Sequence, residues 1–412
     1  MHYKYKYAHF FDNIPRTNFK ELSGKLCIYG AGFQGLLTAH LLKKQNIDVL
    51  CFADIDENKQ GTTYYGLPVI SPEKMKELYP DATVIVTPYT IHLAYKNVKE
   101  QLGYRTAVTP YSLFLEFDAD DFNKLKELPD WYYPETLDYH LDTFLRLCAN
   151  CVTDYKIYTC DICLTEVCNL KCKECTSLMQ CYTKPVHYQL EELKHYMALI
   201  LKNRTFHALY LEGGEALLWK PLPEFLDFLC TFPNLLNIYL ITNGTILPND
   251  NLIKSLKNPK ITLRISDYGD ISKINELSEI CKKHDIIYKI YLHKWYELST
   301  FSKEPHAKEF QKRVFETCCK TQPYGGYLKD GKIFCCPIQA NMHGVGFFKS
   351  SKSDYLDLSN ESSDIQNKLT NFFNNPKLCE LCKHCDGRGF TGKEVPPAVQ
   401  LEKGEKIEVE FI

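Results

Sequence analysis

From residue 156 to about residue 300 the sequence alternates short apolar runs with amphipathic stretches, a pattern that few folds can satisfy. Strand-like runs at residues 160–167, 207–213 and 237–244 each precede a stretch with the apolar spacing of a helix. Strands that alternate with helices favour parallel pairing, because each helix carries the chain back to the start of the next strand. The sequence therefore predicts the α/β class, with five βα repeats in a parallel sheet that is open or curled into a partial barrel.

The regions on either side of these repeats differ from them in pattern. Residues 1–110 contain the apolar runs LCIYG, DVLCFAD and ATVIVTP, which predict a small doubly wound domain. Residues 111–155 have weak helical spacing and are interpreted as a helical connector. Residues 301–395 open with a hairpin pattern and indicate a separate, smaller domain. Residues 396–412 form a tail that is either an edge strand or disordered.

The charge of the chain argues against a polyanionic partner. Lysine and arginine number 49 against 51 aspartate and glutamate residues, so no overall basic field favours nucleic acid or an anionic membrane. The N-terminal sequence lacks the apolar core of a signal peptide, and no run of about 18 apolar residues occurs. We therefore expect a cytoplasmic protein with no membrane span and no nucleic-acid partner.

The 19 cysteines of the chain are grouped. Eight lie between Cys148 and Cys181, and seven lie between Cys318 and Cys385. In a reducing compartment disulfides do not persist, so grouped cysteines indicate ligands of a metal or of an iron-sulfur cluster.

Three cysteines of the first group have the spacing Cys168-x3-Cys172-x2-Cys175 and directly follow a predicted strand. The carboxyl end of a strand is where α/β folds place their chemistry. Three thiolates on one loop can hold three irons of a 4Fe-4S cubane and leave the fourth iron open to a small molecule. A zinc knuckle is the alternative, although no fourth ligand stands nearby at zinc-ribbon spacing.

This cysteine motif resembles the defining motif of the radical S-adenosylmethionine superfamily, and the resemblance implies that residues 156–300 form a partial (β/α)6 barrel. Gly213, Gly214 and Glu215, at the end of the next predicted strand, are similar to the GGE motif of that family. The resemblance implies that the glycines let the backbone approach the methionine moiety and that Glu215 binds its ammonium. It also implies that Asn243 and Ser266, at two further strand ends, face the ribose or the substrate. One position departs from the family, because Glu174 stands where an aromatic residue usually packs near the adenine.

The second cysteine group surrounds a predicted hairpin and resembles the SPASM or twitch extension of radical enzymes. In that extension a hairpin and a downstream CxxC hold an auxiliary 4Fe-4S cluster, which here implies the ligands Cys319, Cys336, Cys382 and Cys385. Neighbouring cysteines leave this choice open, and a zinc site with the same thiolates remains an alternative. Other cysteines of the first group are interpreted as core or incidental thiols: Cys148, Cys151, Cys160, Cys163 and Cys181.

A glycine motif in the N-terminal region, Gly30-x-Gly32-x2-Gly35, follows a strand and opens a helix. Backbone amides at such a helix start could hold a phosphate, and Asp54 is placed to meet a ribose hydroxyl. The region resembles small Rossmann-like domains of sugar-nucleotide and polysaccharide metabolism, which implies a bound nucleotide or nucleotide sugar. One alternative is an interaction domain whose site is empty. A nicotinamide-dependent dehydrogenase is another, but the chain after Thr87 shows no obvious second half of such an enzyme.

Together, these motifs and the resemblance predict a radical enzyme. It would reductively cleave S-adenosylmethionine to a 5′-deoxyadenosyl radical, which removes hydrogen from a small substrate. The fused nucleotide-type domain favours a sugar or sugar nucleotide, with oxidation, dehydration or epimerisation as the outcome. The resemblance also implies an electron donor such as flavodoxin or ferredoxin. Two alternatives are kept, namely a maturase that modifies a peptide or protein side chain, and a non-catalytic scaffold that binds a cluster or zinc.

Overall fold

The computed structural model describes residues 16–22, 24–88, 90–117, 121, 137–153, 156–292, 295–298, 301–318, 325–359, 363–387, 393–405 and 407. The chain divides into two compact units, Met1–Lys156 and Ile157–Ile412. The predicted helical connector is therefore part of the first unit. Among the helices that the structure describes, none combines the length and the apolar character that a bilayer crossing requires.

The first unit is built on a sheet of six strands in the order β3-β4-β2-β1-β5-β6. Its strands are β1 (Leu26–Tyr29), β2 (Val49–Ala53), β3 (Thr63–Tyr64), β4 (Leu67–Ile70), β5 (Thr83–Val86) and β6 (Ala107–Val108). Its helices are α1 (Phe33–Lys44), α2 (Pro72–Leu78), α3 (Ile91–Lys96), α4 (Tyr111–Phe114) and α5 (Leu137–Val152). All pairs are parallel except β3 with β4, and β1 pairs with both β2 and β5. The strand order therefore reverses at β1.

Local sequence explains the elements of this unit. Strand β1 is buried along its whole length, as expected of an apolar strand with parallel neighbours on both sides. Helix α2 begins where Ser71 accepts a hydrogen bond from the Lys74 amide at 3.1 Å, and Pro72 occupies its first turn.

The second unit contains a sheet of eight strands in the order β11-β10-β9-β8-β7-β13-β14-β15. Its strands are β7 (Ile157–Thr165), β8 (Thr205–Gly213), β9 (Leu235–Thr242), β10 (Ile261–Ser266), β11 (Tyr288–Tyr291), β12 (Trp295–Tyr296), β13 (Tyr327–Lys329), β14 (Lys332–Phe334), β15 (Tyr355–Asp357) and β16 (Glu394–Val395). Its helices are α6 (Leu190–Leu201), α7 (Leu222–Cys230), α8 (Asp250–Leu256), α9 (Ile274–Lys283), α10 (Lys308–Thr317), α11 (Pro337–Val345) and α12 (Ile365–Asn374). Strands β12 and β16 form a separate two-stranded sheet.

The five strands β7 to β11 pair in parallel, each with its neighbour in sequence. The predicted α/β class with parallel sheets is confirmed. The hairpin of β13 and β14 was expected to open a separate domain, but β13 pairs in parallel with β7 and extends the same sheet. The reason is that Leu328 and Ile333 of the hairpin join the core of the βα repeats.

The two faces of this sheet differ in chemistry. One face carries the apolar core, to which alternate residues of β7 such as Cys160 and Ile162 belong. Cys163 lies on the other face and packs against Tyr327 and Phe334. The prediction that Cys160 and Cys163 point to opposite faces and are buried in the core is therefore confirmed.

Candidate functional site

The three cysteines of the first motif lie on one loop directly after strand β7. The strand ends at Thr165, and Cys168, Cys172 and Cys175 follow on the loop. The Cys168 and Cys172 thiols lie close enough to that of Cys175 for it to raise the pKa of each. In the described part of the chain, no group of three or more His, Cys, Asp or Glu side chains is arranged to hold a metal ion.

The sulfur atoms of this loop accept hydrogen bonds from several N–H groups. The Leu170 amide lies 3.5 Å from Cys168 Sγ, and Asn243 Nδ2 lies 3.9 Å from the same sulfur. Gln400 Nε2 lies 3.1 Å from Cys172 Sγ. Donors aimed at sulfur stabilise thiolate-metal bonds, so the donor set fits an iron-sulfur cluster.

Burial is the main influence on the ionisation of these thiols. It raises the pKa of Cys168 and of Cys172 to about 11, and it also raises the pKa of Cys175. A thiol with a raised pKa is protonated at neutral pH, so its conversion to thiolate needs a positively charged partner such as iron. Without a bound metal, the three cysteines are therefore neutral thiols at neutral pH.

The glycines of the GGE motif are required by packing within the protein. A Cβ on Gly213 would lie 2.3 Å from the Thr165 carbonyl oxygen, and a Cβ on Gly214 would lie 2.2 Å from the Val167 carbonyl oxygen and 2.8 Å from the Cys168 amide nitrogen. Gly213 also has φ +153°, which favours glycine. The glycines thus let the end of β8 lie directly against the start of the cysteine loop. An approach to methionine, the role inferred from sequence, stays a prediction.

Glu215 is buried, with 1% of its surface exposed, and its carboxylate joins two strand ends. Oε1 accepts hydrogen bonds from the Leu217 amide at 3.0 Å and the Thr242 hydroxyl at 2.7 Å, and Oε2 accepts one from the Asn243 amide at 2.7 Å. Burial raises the pKa of this carboxyl, and the three donors oppose that rise. The structure thus gives Glu215 a positioning role, and its contact with a ligand ammonium stays a prediction.

Asn243 and Ser266 lie at the carboxyl ends of β9 and β10, on the same edge as the cysteine loop. Asn243 Nδ2 donates a hydrogen bond to Asn169 Oδ1 of that loop at 3.0 Å. Asn243 Oδ1 accepts hydrogen bonds from the backbone amide and the hydroxyl of Thr245. The Ser266 carbonyl oxygen accepts a hydrogen bond from the Ser272 hydroxyl at 3.1 Å. The structure therefore brings the predicted strand-end residues to one edge of the sheet.

The position of Glu174, which departs from the family pattern, has a local explanation. Its carboxylate accepts a hydrogen bond from the Leu298 amide at 2.6 Å and ties the cysteine loop to the segment after β12. An aromatic residue is present nearby in another element. Burial raises the pKa of the Tyr268 hydroxyl, and the nearby Cys175 adds to that rise. The Tyr268 ring packs edge-on against Trp295, with 5.6 Å between the ring centroids.

The polar face of the sheet carries residues that the motif search missed. Tyr210 and Tyr239 stack at 5.1 Å with an angle of 10° between their rings. The Arg264 guanidinium lies over both rings and over Tyr291, at 4.0 Å from the last centroid. Alternation along β8, β9 and β10 was the signal that could have revealed them, since Tyr210, Tyr239 and Arg264 each stand between two apolar residues of the core.

Several cysteines of the second group also lie together. Cys319 falls outside the described residues, but the adjacent Cys318 is described. After burial, the thiols of Cys318, Cys382 and Cys385 raise the pKa of Cys336. Burial raises the pKa of Cys385 to about 11, with Cys318 and Cys382 again among the causes. The structure therefore groups the other three predicted ligands with Cys318.

Two further thiols adjoin this set. Cys379 Sγ lies 3.2 Å from Cys382 Sγ. Cys335 and Cys379 both line a cavity of about 240 Å³ between β15 and α12. Replacing each of these neighbouring cysteines in turn would show which of them bind the cluster.

The glycine motif of the first unit forms a tight turn between β1 and α1. Gly30 has φ +109°, and a Cβ on Gly35 would lie 2.1 Å from the Gly30 carbonyl oxygen. A Cβ on Gly32 would meet no atom within 4 Å. The first and third glycines are therefore needed for the close approach of turn and helix, whereas the second leaves open space.

Asp54 is directed at this turn. Its Oδ2 accepts a hydrogen bond from the Ala31 amide at 2.7 Å and lies 3.3 Å from Lys59 Nζ. One amide that was expected to meet a phosphate is thus bonded to a carboxylate of the protein. Phosphate binding by the turn and ribose binding by Asp54 stay predictions.

Comparison with known proteins adds limited information. A family model described as C2185-like, N-terminal, matches residues 22–107, a minority of the chain. No curated protein matches the sequence.

Solved structures with some similarity include three complexes. Native anSMEcpe with bound AdoMet and Cp18Cys peptide is 20% identical over 32% of this chain and 42% of that chain, with a TM-score of 0.27. BtrN in complex with AdoMet and 2-DOIA is 14% identical over 57% of this chain and 94% of that chain, with a TM-score of 0.36. Streptococcus suis SuiB bound to precursor peptide SuiA is 12% identical over 73% of this chain and 87% of that chain, with a TM-score of 0.33. Similarity at these TM-scores decides neither the activity nor the substrate of this chain.

Proposed function

We propose that this chain is a radical S-adenosylmethionine enzyme that acts on a sugar or a sugar nucleotide. One observation carries the proposal, namely that the predicted cofactor residues meet at one edge of a parallel sheet. The cysteine loop follows β7, Gly213, Gly214 and Glu215 follow β8, and Asn243 follows β9. Hydrogen bonds link all three strand ends. The Gly214 amide donates to the Thr165 carbonyl oxygen at 2.7 Å, and the Asn243 amide donates to Glu215 Oε2 at 2.7 Å.

Cys168, Cys172 and Cys175 would hold a 4Fe-4S cluster. When bound, such a cluster supplies the electron for reductive cleavage of S-adenosylmethionine, whose deoxyadenosyl product removes hydrogen from the substrate. The chain itself fixes the loop. Asn169 and Asn243 join it to β9, and Glu174 joins it to the segment after β12.

Glu215 serves this site by keeping the strand ends in register. Its three donors come from the chain after β8 and from the end of β9, and its carboxylate has almost no contact with solvent. A buried carboxylate with three donors is rigid, because the loss of any one of them leaves an unpaired polar group. Rigid strand ends hold reacting groups at a fixed separation.

A second cluster would lie in the C-terminal part of the chain. We propose Cys336, Cys382 and Cys385 as ligands, with the fourth from Cys318 or Cys319. Supporting this, the described thiols influence one another's ionisation in the folded chain. Iron and zinc both accept four thiolates, so metal analysis of the purified protein separates these two metals.

The polar face of the sheet supports a hydroxyl-rich or charged substrate. The ring faces of Tyr210, Tyr239 and Tyr291 hold the guanidinium of Arg264, a group that suits a phosphate or a sugar hydroxyl. The glycine turn of the first unit supports a nucleotide-linked sugar. An electron donor such as flavodoxin or ferredoxin would reduce the enzyme.

The proposal is tested by hydrogen transfer from candidate substrates. The anaerobically purified protein is incubated with dithionite, S-adenosylmethionine and ring-deuterated sugars or nucleoside diphosphate sugars. We expect deuterium in the 5′-deoxyadenosine for at least one of them, and none with Cys168→Ala. Deuterium transfer from labelled peptides but from no sugar would contradict the proposed substrate class.

A further inference from the structure

A segment near the C-terminus crosses the cysteine loop. We call residues 396–405 the C-terminal strap. The Lys173 amide donates a hydrogen bond to the Val399 carbonyl oxygen at 2.8 Å, and the Leu401 amide donates one to the Lys171 carbonyl oxygen at 2.8 Å. These bonds form an antiparallel bridge between Cys172 and Gln400. The strap therefore runs alongside the middle cysteine of the motif.

The side chain of Gln400 is held at both ends of its amide. Oε1 accepts a hydrogen bond from the Lys171 amide at 2.7 Å. Nε2 donates to the Ala398 carbonyl oxygen at 2.6 Å and to Cys172 Sγ at 3.1 Å. A flipped amide would place oxygen against oxygen at Ala398 and N–H against N–H at Lys171. The network therefore fixes an N–H group toward the sulfur.

The strap is also anchored away from the sulfur. Lys173 Nζ forms an ion pair with Glu405 at 2.7 Å, on the solvent side of the bridge. Ala398 is buried and has φ +56°, a left-handed conformation that turns the chain into the bridge. The strap thus stays in place through contacts other than the bond from Gln400 to Cys172.

We propose that Gln400 is a positioning residue whose N–H···S hydrogen bond raises the reduction potential of the cluster held by Cys168, Cys172 and Cys175. This inference rests on the proposed function. Reduction adds negative charge to the cluster sulfurs, and a hydrogen-bond donor stabilises the more negative state. Hydrogen bonds to ligand sulfur are one of the features by which proteins set cluster potentials. The donor comes from a segment far from the motif in sequence, so the strap couples the C-terminal chain to the redox poise of the site.

Two substitutions separate the donor from the rest of the strap. Gln400→Met has similar length and lacks the donor, whereas Gln400→Glu keeps an oxygen for the Lys171 amide and loses the N–H. The matched control is Glu405→Gln, which weakens the ion pair to Lys173 and leaves the amide of Gln400 unchanged. All are made in the full chain, loaded with iron and sulfide under anaerobic conditions.

The measurement is a redox titration followed by electron paramagnetic resonance. The signal that S-adenosylmethionine perturbs identifies the cluster at Cys168. For Gln400→Met we expect the ratio of reduced to oxidised cluster at a fixed solution potential to fall about tenfold. For a one-electron couple this corresponds to a midpoint potential lower by about 59 mV. The midpoint potential of Gln400→Glu should be lower still because of its negative charge, and that of Glu405→Gln should equal the wild-type value.

An unchanged midpoint in Gln400→Met with a fully loaded cluster would overturn the inference and leave the proposed function standing. If neither Gln400 variant retains the cluster while Glu405→Gln does, the side chain holds the loop and its tuning role is wrong. A wild-type chain without any signal that S-adenosylmethionine perturbs would instead reject the proposed function, and the inference with it.

Discussion

Gly214→Ala should distort the cysteine loop without changing any cysteine. An added Cβ would lie 2.2 Å from the Val167 carbonyl oxygen and 2.4 Å from its carbonyl carbon. Ordinary van der Waals contact begins near 3.4 Å, so the chain before Cys168 must move by roughly 1 Å or more. That movement strains the hydrogen bonds from the Gly214 amide to Thr165 and from the Glu215 amide to Val167. Overpacking of this kind costs about 1–3 kcal/mol.

The assay compares urea unfolding, followed by circular dichroism, with iron content per chain after reconstitution. We expect Gly214→Ala to lower both the unfolding free energy and the iron content of the first cluster. Gly32→Ala is the control, because a Cβ at Gly32 meets nothing within 4 Å. A Gly214→Ala protein as stable and as iron-rich as the wild type would refute the argument that this glycine is required by the approach of β8 to the loop.

Three further predictions follow from other contacts. Glu215→Gln should cost about 1–3 kcal/mol of unfolding free energy, because its new amide faces donors such as the Asn243 N–H. Burial and Arg146 lower the pKa of His92 to about 4, so the wild type should lose about 2 kcal/mol more than His92→Gln between pH 7 and pH 5 in urea unfolding. Arg264→Met should raise the KM of the substrate at least about tenfold, measured by substrate-dependent 5′-deoxyadenosine formation, because it removes the proposed anion contact.

Each of these has an outcome that contradicts it. The sign for His92 follows from its lowered pKa, since the unfolded chain binds the extra proton below about pH 6.5 and stability falls as the pH falls. Parallel pH profiles of wild type and His92→Gln would show that this group is not responsible. For Glu215, an unchanged unfolding midpoint would refute its structural role. An unchanged KM in Arg264→Met would remove the polar sheet face from the substrate site.

The edge of the sheet was predictable because its signals are local. Each strand end is followed in sequence by its own motif, so the alternation of strands and helices sufficed to bring Cys168, Glu215 and Asn243 to one edge. The reason for the glycines was not predictable, because the atoms that exclude a Cβ at Gly213 and Gly214 belong to another strand end. Spacing indicates where a glycine stands, and only packing indicates what it avoids.

The features that the sequence missed depend on contacts between distant residues. The bridge from Cys172 to Gln400 joins positions 228 residues apart, and the strap has no motif of its own. The hairpin of β13 and β14 looked separate because it follows a change of pattern, yet its pairing with β7 is decided by the core that it completes. Pairing between strands that are far apart in sequence produces no periodic pattern of residues from which it could be predicted.

The most direct test of the central claim is the formation of 5′-deoxyadenosine. The wild-type chain and Cys168→Ala are reconstituted anaerobically, their iron and sulfide are counted, and each is incubated with dithionite and S-adenosylmethionine. The account predicts 5′-deoxyadenosine from the wild type and none from the variant, with iron of the second cluster retained in both. A wild-type protein with its cluster intact that forms no 5′-deoxyadenosine would contradict it.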